Sequence, residues 1–190
     1  MIEKYYNKFF AIIPARGNSK RIKNKNILLY KNKPLISYSI VAAQKSKFIK
    51  NVYVSSDSNK ILNISKLFGA KTYKRPARLA NDKTYKLQVI REFLKKIKVK
   101  EKFIVILQAN SPEIKSKHIN KCINHFIKFS RDEVISVDKN NNQDSAIRII
   151  KKFKLFENNF GTHIGFAKTD LIDINEYSDY TKLLKNAKKK

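Results

Sequence analysis

The stretch from residue 9 to residue 26 constrains this chain more than any other segment. It begins with an apolar run, Phe9 to Ile13, which stops at Pro14 and opens into a loop. Small and cationic residues fill that loop: Arg16, Gly17, Asn18, Ser19, Lys20, Arg21, Lys23 and Lys25. Gly17 can adopt backbone angles closed to other residues, and successive N–H groups in such a turn form a nest for anions. A buried strand followed by this loop predicts a polyphosphate site, with a solvated basic loop as the alternative.

The length and composition indicate one domain. A chain of 190 residues suits a single hydrophobic core. No apolar run approaches the roughly 20 residues of a membrane span, and the first residues lack the pattern of a signal peptide. The single cysteine, Cys122, leaves no intramolecular disulfide and no thiolate metal cage. We therefore expect a cytoplasmic protein without a membrane partner.

The formal net charge of +27 raises nucleic-acid binding as a second function. The excess is mostly lysine, spread along the whole chain together with abundant asparagine and isoleucine. A genome rich in A and T produces that composition without selection for binding. The chain carries no RNP sequence, zinc-knuckle spacing or basic zipper. Nucleic acid is therefore not the partner that the sequence favours, although a basic nucleic-acid-binding module stays open as an alternative.

Short apolar runs alternate with amphipathic helical patterns along the rest of the chain. Further strands are expected at 51–56, 70–73, 103–107 and 133–137. Helices are expected to start after Pro34, after the possible N-caps Asp57 and Ser58, and after Thr84, which would cap its helix. Two more are expected across 119–127 and at 176–188. Cys122 lies on the apolar stripe of its helix and is interpreted as a core residue. The alternation predicts an α/β fold, a three-layer α/β/α, Rossmann-like, mainly parallel sheet.

Three polar clusters are expected at the same sheet edge as the cationic loop, because parallel strands bring their carboxyl ends together. They are 75–82, 108–112 and 171–175. Gln108 carries an amide suited to a base edge or a sugar hydroxyl. Asp173 and Asn175 would point to one side of an extended segment, and paired oxygen ligands suit Mg²⁺. Taken singly, each cluster is also explained by a turn, a strand-end cap or a helix N-cap.

Six motifs, in their order and spacing, resemble those of the acylneuraminate cytidylyltransferases, the CMP-sialic acid synthetase family. They are PARGNSKRIKNKN, KPLISYSI, VYVSSD, RPARLANDKT, LQANSP and IDIN, and the resemblance covers about 9–138 and resumes at roughly 160–185. It implies a nucleotide-diphospho-sugar-transferase α/β/α sandwich, generally homodimeric and dependent on Mg²⁺. The implied reaction transfers CMP from CTP to the anomeric hydroxyl of a 2-keto acid sugar and releases pyrophosphate.

The resemblance also implies a role for each matching residue. Arg16, Lys20, Lys25 and Gln108 would act catalytically, the cations on the CTP phosphates and Gln108 on the acid sugar. The nucleotide would be bound by Ala15, Arg16, Gly17, Asn18, Ser19, Lys20, Lys25, Asn26, Arg75 and Asp82. Asp173 and Asn175 would hold Mg²⁺. The reaction is an in-line attack on the α-phosphorus, which needs charge neutralisation and positioning more than a protein nucleophile.

The chain departs from the family pattern at several places. Asn175 replaces a carboxylate, Lys86 stands where a small hydroxyl residue is common, and the motif at 109–114 has lost its arginine. The segment around 138–160 is short, although it usually supplies a dimerisation hairpin. His163 follows it, and a buried structural histidine is favoured there over a substrate contact. These departures leave open another nucleotide or acid sugar, or a descendant that no longer turns over substrate.

Overall fold

The computed structural model describes residues 2–81, 84–157 and 163–188. Within these ranges the strands are β1 (Phe9–Pro14), β2 (Leu29–Tyr30), β3 (Lys33–Pro34), β4 (Ile49–Ser56), β5 (Lys71–Lys74), β6 (Phe103–Leu107), β7 (Glu133–Val137), β8 (Gln143–Lys151) and β9 (Ile164–Lys168). The α-helices are α1 (Leu35–Gln44), α2 (Asn59–Leu67), α3 (Lys86–Lys96), α4 (Ser116–Lys128) and α5 (Tyr177–Lys188). Short 3-10 turns lie at Glu3–Tyr5, Lys25–Ile27, Ala77–Leu79 and Lys152–Phe156. None of these helices combines the length and apolar character that a bilayer crossing demands.

One mixed sheet organises the molecule. Its strand order is β5-β4-β1-β6-β8-β7-β9, and β2 with β3 forms a separate small hairpin. Strands β5, β4, β1 and β6 are parallel to one another, and β9 is parallel to β7. Only β8, among the paired strands of the described ranges, runs antiparallel to both of its neighbours, β6 and β7. The mainly parallel α/β architecture predicted from the sequence is therefore confirmed.

Strand β1 supplies apolar side chains to both faces of the sheet, because successive residues of a strand point to opposite sides. Phe9, Ala11 and Ile13 pack with α1, α2 and α4 in one core layer. Phe10 and Ile12 pack in a second layer with α3. Burial on both faces explains why the strand is a continuous apolar run instead of an alternating one.

Cys122 belongs to the first of these core layers, as the sequence predicts. It is fully buried on α4. Burial raises the pKa of its thiol to about 12, and the charge of Asp144 acts in the same direction. The thiol is therefore neutral and has no nucleophilic role.

The segment after β7 contains a strand that the sequence interpretation did not include. Strand β8 lies between β6 and β7, where Leu107 pairs with Ile147 and Val134 pairs with Ile149. Because β8 is antiparallel, its first residues lie at the same sheet edge as the carboxyl ends of β6 and β7. Val137 pairs with Gln143 there. The short segment after β7 therefore contributes both to the core and to the edge that carries the polar clusters.

The start of α3 also differs from expectation. The helix begins at Lys86, and the residue before it, Tyr85, provides no side-chain cap. Thr84, predicted to cap this helix, donates instead from Oγ1 to Oδ1 of Asn81 at 2.9 Å. The Thr84 hydroxyl therefore stabilises the loop before α3 and does not cap the helix.

The last described helix packs against the first part of the chain. Leu183 of α5 shares a small core with Ile22, Tyr30, Leu35 and Ile174. The hydroxyl of Tyr180 donates to the backbone carbonyl of Leu29 at 2.6 Å. This packing brings residues 173–175 to the sheet edge where β1 ends.

Candidate active site

A cavity of about 280 Å³ opens at the carboxyl ends of β1 and β6. Its cationic lining side chains are Arg16, Lys20, Arg21, Lys25, Arg75 and Lys86. Gln108, Asn26 and Ser19 also line it, and no carboxylate does among the described lining residues. The structure thus brings the cationic loop and two of the three predicted polar clusters to one cavity. Such a cavity is electrostatically suited to a multiply charged anion.

The cationic loop is held in place by three hydrogen bonds. The N–H of Ala15 donates to the carbonyl of Ser55 at 2.9 Å. The N–H of Gly17 donates to Oδ1 of Asp57 at 2.9 Å. The side-chain amide of Asn26, which is buried, donates to the carbonyl of Arg16 at 3.0 Å. Asn26 therefore positions the loop through its amide nitrogen.

The reason for glycine at position 17 is close packing. A Cβ at Gly17 would lie 2.9 Å from Cβ of Ser58 and 3.3 Å from Oδ2 of Asp57. The φ angle of Gly17 lies outside the left-handed region, which among the described glycines only Gly69 adopts. The expectation that Gly17 adopts angles closed to other residues is therefore wrong. The absent side chain lets the loop approach the start of α2.

Arg75 is a buried cation at the cavity wall, with 5% of its surface exposed. Its guanidinium lies 3.1 Å from Oδ1 of Asp57. Burial raises the pKa of Asp57, but the hydrogen bonds from Gly17 and Arg75 outweigh it and lower that pKa overall. Nε of Arg75 is buried and has no hydrogen-bond partner among the described residues. A buried donor without a partner beside a cavity is a place where a ligand acceptor is expected.

Asp57 is a residue of the candidate site to which the sequence interpretation assigned no role there. It was interpreted as a helix N-cap together with Ser58, and it ends the VYVSSD motif. In the structure Ser58 caps α2, because its Oγ accepts from the N–H of Ile61 at 3.5 Å. Asp57 instead joins the cationic loop to Arg75. The available signal was its position directly after β4, at the carboxyl edge where ligands of open α/β sheets bind.

Lys25 and Asn110 fix the segment that carries Asp173. Nζ of Lys25 donates to the carbonyl of Ile174 at 2.8 Å. The side-chain amide of Asn110 donates to the same carbonyl at 2.7 Å, and the N–H of Ile174 donates to the carbonyl of Asn110 at 3.0 Å. Burial lowers the pKa of Lys25, as does the charge of Arg21. Lys25 thus touches both the cavity and the Asp173 segment.

Asp173 is a half-buried carboxylate behind this cavity. The hydroxyl of Ser111 donates to its Oδ1. Burial raises the pKa of Asp173 to about 6, although the Ser111 hydrogen bond and the charges of Lys86 and Lys25 oppose the rise. A carboxylate of this kind gains from a cation placed beside it.

Asn175 has different surroundings from Asp173. It is exposed, and its backbone N–H donates to Oδ2 of Asp179 at 2.9 Å at the start of α5. The residues 169–176 form no strand, and Asp173 and Asn175 differ in burial. No group of three or more His, Cys, Asp or Glu side chains in the described part of the chain is arranged to hold a metal. Of the predicted pair, Asp173 offers a carboxylate that fits Mg²⁺, which proteins usually hold with one or two carboxylates while substrate phosphates supply other ligands.

The remaining predicted residues have the following places. Gln108 is fixed through its backbone, which donates to Ala146 at 3.1 Å and accepts from the Ser39 hydroxyl at 2.5 Å, and its side chain lines the cavity. Arg16 and Lys20 line the cavity and interact with neighbouring groups. Asn18 belongs to the loop without lining the cavity. Asp82 lies outside the described residues.

His163 does not have the buried position expected of it. It is exposed just before β9. Its carbonyl accepts from the N–H of Asp132 at 3.0 Å. This residue therefore contributes a backbone contact at the far end of the sheet from the cavity.

The fold and the cavity together define an α/β protein with a cationic cavity at the carboxyl edge of its sheet. Residues 10–164 match the model of the cytidylyltransferase family, so the chain belongs to that family. The chain is 36% identical to the N-acylneuraminate cytidylyltransferase of Escherichia coli over 142 residues, 74% of this chain and 34% of that protein. It is 47% identical to the CMP-N,N'-diacetyllegionaminic acid synthase of Campylobacter jejuni over 83 residues, 43% of this chain and 35% of that protein. The resemblance drawn from the six motifs is confirmed.

Solved structures show the same architecture. The structure of a CMP:2-keto-3-deoxy-manno-octonic acid synthetase complexed with CTP superposes with a TM-score of 0.77, covering 95% of this chain and 98% of that chain. Sequence identity in that superposition is 13%, so the likeness concerns the fold. The chain spans about a third of the length of the two curated relatives named above.

Proposed function

We propose that this chain is a CTP-dependent cytidylyltransferase acting on a sialic-acid-like 2-keto acid sugar. The observation that carries the proposal is the cavity itself, which gathers six cationic side chains and no carboxylate among its described lining residues. Both proposed substrates are anions, a triphosphate and a carboxylic acid. The buried Nε of Arg75 offers an unsatisfied donor to the same ligand. Membership in the cytidylyltransferase family supports CTP as the nucleotide.

The proposed reaction joins the anomeric oxygen of the sugar to the α-phosphorus of CTP. The bond from the α-phosphorus to the bridging oxygen breaks, pyrophosphate leaves, and the hydroxyl loses its proton. Negative charge accumulates on the leaving pyrophosphate, and Arg16 and Lys20 are the loop cations proposed to stabilise it. Gln108 would orient the sugar through its amide, because its backbone is fixed by Ala146 and Ser39. These residues position the substrates and neutralise the negative charge of the phosphates, and none of them forms a covalent intermediate.

Mg²⁺ is the proposed cofactor, held by Asp173 together with substrate phosphates. When bound, it would supply charge neutralisation at the phosphates. Ser111 would fix the rotamer of the Asp173 carboxylate, and Lys25 and Asn110 would fix the backbone beside it. The exposed side chain of Asn175 would contribute at most a neutral oxygen.

A homodimer is proposed from the surface of β9. Ile164 and Phe166 are exposed on this edge strand, with 37% and 54% of their surfaces accessible. An edge strand that presents apolar side chains is a ready surface for pairing with a second copy. Sedimentation analysis of wild type and Phe166→Glu tests it, because the variant should lower the dimer fraction without lowering the unfolding temperature. A wild type that is monomeric at all concentrations would overturn this assembly.

The function is tested by calorimetric binding of CTP, UTP, ATP and GTP, each with and without Mg²⁺. Selective binding of CTP is expected, followed by pyrophosphate release when acid sugars are added. Arg16→Ala should abolish most of the binding with an unchanged unfolding temperature. Lys66→Ala removes the same charge from an exposed site on α2 and should bind as wild type does. Absence of binding to every nucleotide would overturn the proposal.

A further inference from the structure

Lys86 lines the cavity, and its charge acts on the Asp173 carboxylate. It is the first residue of α3, and its side chain lines the cavity together with Val89, one helical turn later. Residues three apart on a helix share one face. The face of α3 that begins with Lys86 is thus turned towards the cavity.

The charge of Lys86 acts on Asp173. Lys86 is an exposed residue of the cavity lining. Partial desolvation of its ammonium lowers its pKa overall, and the negative charge of Asp173 opposes that shift. The charge of Lys86 in turn lowers the pKa of Asp173 and so opposes the effect of burial on that carboxylate. Lys25 acts on Asp173 in the same direction. Two ammonium groups therefore act on the Asp173 carboxylate, although burial and the charge of Asp144 keep its pKa raised.

Helix stability does not explain a lysine at this position. The N-terminus of a helix carries a partial positive charge, so a cation in the first turn is unfavourable. The first turn of α3 contains no acidic residue, and the residue before Lys86 provides no side-chain cap. Lys86 also faces a cavity already lined by five other cationic side chains. Each of these charges opposes its presence until an anion binds.

We infer that Lys86 supplies, as a fixed ammonium, part of the positive charge that a divalent cation would otherwise bring to the nucleotide phosphates beside Asp173. Nucleotide binding by this chain then depends only partly on Mg²⁺. The inference rests on the proposed function, since it concerns the same nucleotide. It also accounts for Asn175, because a site with one carboxylate and a nearby ammonium needs less metal charge than a site with two carboxylates.

Calorimetric titration of CTP into four forms of the chain tests the inference, with each form measured in excess Mg²⁺ and in a chelator. The forms are wild type, Lys86→Ala, Lys86→Arg and Lys95→Ala. Lys86→Arg keeps the charge, and Lys95→Ala removes one charge from the exposed last turn of α3. Thermal unfolding of each form confirms that it is folded.

Lys86→Ala should weaken CTP binding by about tenfold or more in chelator and by clearly less in Mg²⁺, because the metal then replaces the lost charge. Lys86→Arg and Lys95→Ala should keep the wild-type ratio of the two affinities. An equal loss in both conditions would show that Lys86 is an ordinary contact and would overturn this inference alone. Binding by wild type only in Mg²⁺ would overturn it as well. Absence of binding by wild type in both conditions would overturn the proposed function with it.

Discussion

The backbone N–H of Gly17 donates a 2.9 Å hydrogen bond to Oδ1 of Asp57, forty residues later in the chain. The same oxygen lies 3.1 Å from the guanidinium of Arg75. One carboxylate oxygen therefore positions both the cationic loop and the buried arginine of the cavity. The two sides of the proposed nucleotide site are coupled through a residue that does not line the cavity.

Asp57→Asn is expected to weaken both nucleotide binding and folding. The amide keeps the shape but removes the charge opposite Arg75, and a hydrogen bond to a charged group contributes about 1.5–3 kcal/mol. We expect a loss of that order or less in the free energy of unfolding, since Asp57 is partly exposed, and a loss of about tenfold in CTP affinity. Urea denaturation and calorimetry measure the two effects. A variant with wild-type affinity would remove Asp57 from the positioning of the loop.

The stabilisation by Asp57 should depend on pH in a defined direction. Its pKa in the folded protein lies below its ordinary value of 3.8. A group whose pKa is lowered by folding stabilises the protein fully above its unfolded pKa and loses that effect as the pH falls through the folded value. The difference in unfolding free energy between wild type and Asp57→Asn should therefore be constant near neutral pH and shrink below about 3.8. A difference that grows on acidification would contradict this assignment.

Gly17→Ala and Gly69→Ala are expected to have different effects, the first on CTP affinity and the second on stability. A methyl group at Gly17 would meet Cβ of Ser58 at 2.9 Å and displace the loop, so CTP affinity should fall by about tenfold or more. Gly69 has a φ of +79°, so alanine there should cost about 1–2 kcal/mol of stability and leave the affinity unchanged. Thermal unfolding and calorimetry on both variants separate the two effects. Equal affinities for both variants would rule out the close approach as the reason for Gly17.

Asn110→Ala should disturb the response to Mg²⁺. The lost amide donates to the carbonyl of Ile174 at 2.7 Å, next to Asp173. We expect a loss of about 1 kcal/mol in stability and a smaller gain in CTP affinity when Mg²⁺ is added. Asn120→Ala is the matched control, because it removes a 2.6 Å side-chain hydrogen bond with Ser46 on the α1–α4 side. It should lower stability and leave the Mg²⁺ response intact, and a similar change in both variants would count against a role for Asn110.

Cys122 should resist thiol reagents in the folded protein. Its thiol is fully buried, and its pKa is raised to about 12, whereas the thiolate is the reactive form. Labelling with a disulfide reagent at mildly alkaline pH should proceed only after denaturation. Rapid labelling of native protein would place Cys122 outside the core.

Much of the fold could be predicted because many of its strands and helices are indicated by local patterns of apolar residues in the sequence. Strands β6 and β7 coincide with the predicted ranges. Strand β6 is a continuous apolar run, and β7 is a short stretch rich in valine and isoleucine. The stripe from Ile119 to Ile127 predicted α4 for a similar reason. The convergence of Arg16, Arg75 and Gln108 followed from the rule that parallel strands end at one sheet edge.

Other features depend on contacts that no local pattern records. Strand β8 was missed although residues 146–150 are apolar except for Arg148, because the family pattern drew attention to the length of that segment instead. The role of Asp57 depends on Arg75, eighteen residues away, and on the loop at Gly17. The same applies to Asn175, whose environment is set by Asp179 at the start of α5.

The hydrogen bond from Lys25 to Ile174 joins residues 149 positions apart in the chain. During synthesis, the cationic loop emerges long before the segment that completes its surroundings. The sheet strands β1, β4 and β6 can pair while the Ile174 carbonyl and its neighbour Asp173 are still untranslated. The surroundings of Lys25 are therefore complete only after residue 174 has been synthesised, so the proposed nucleotide site forms after the sheet strands that flank it have been made.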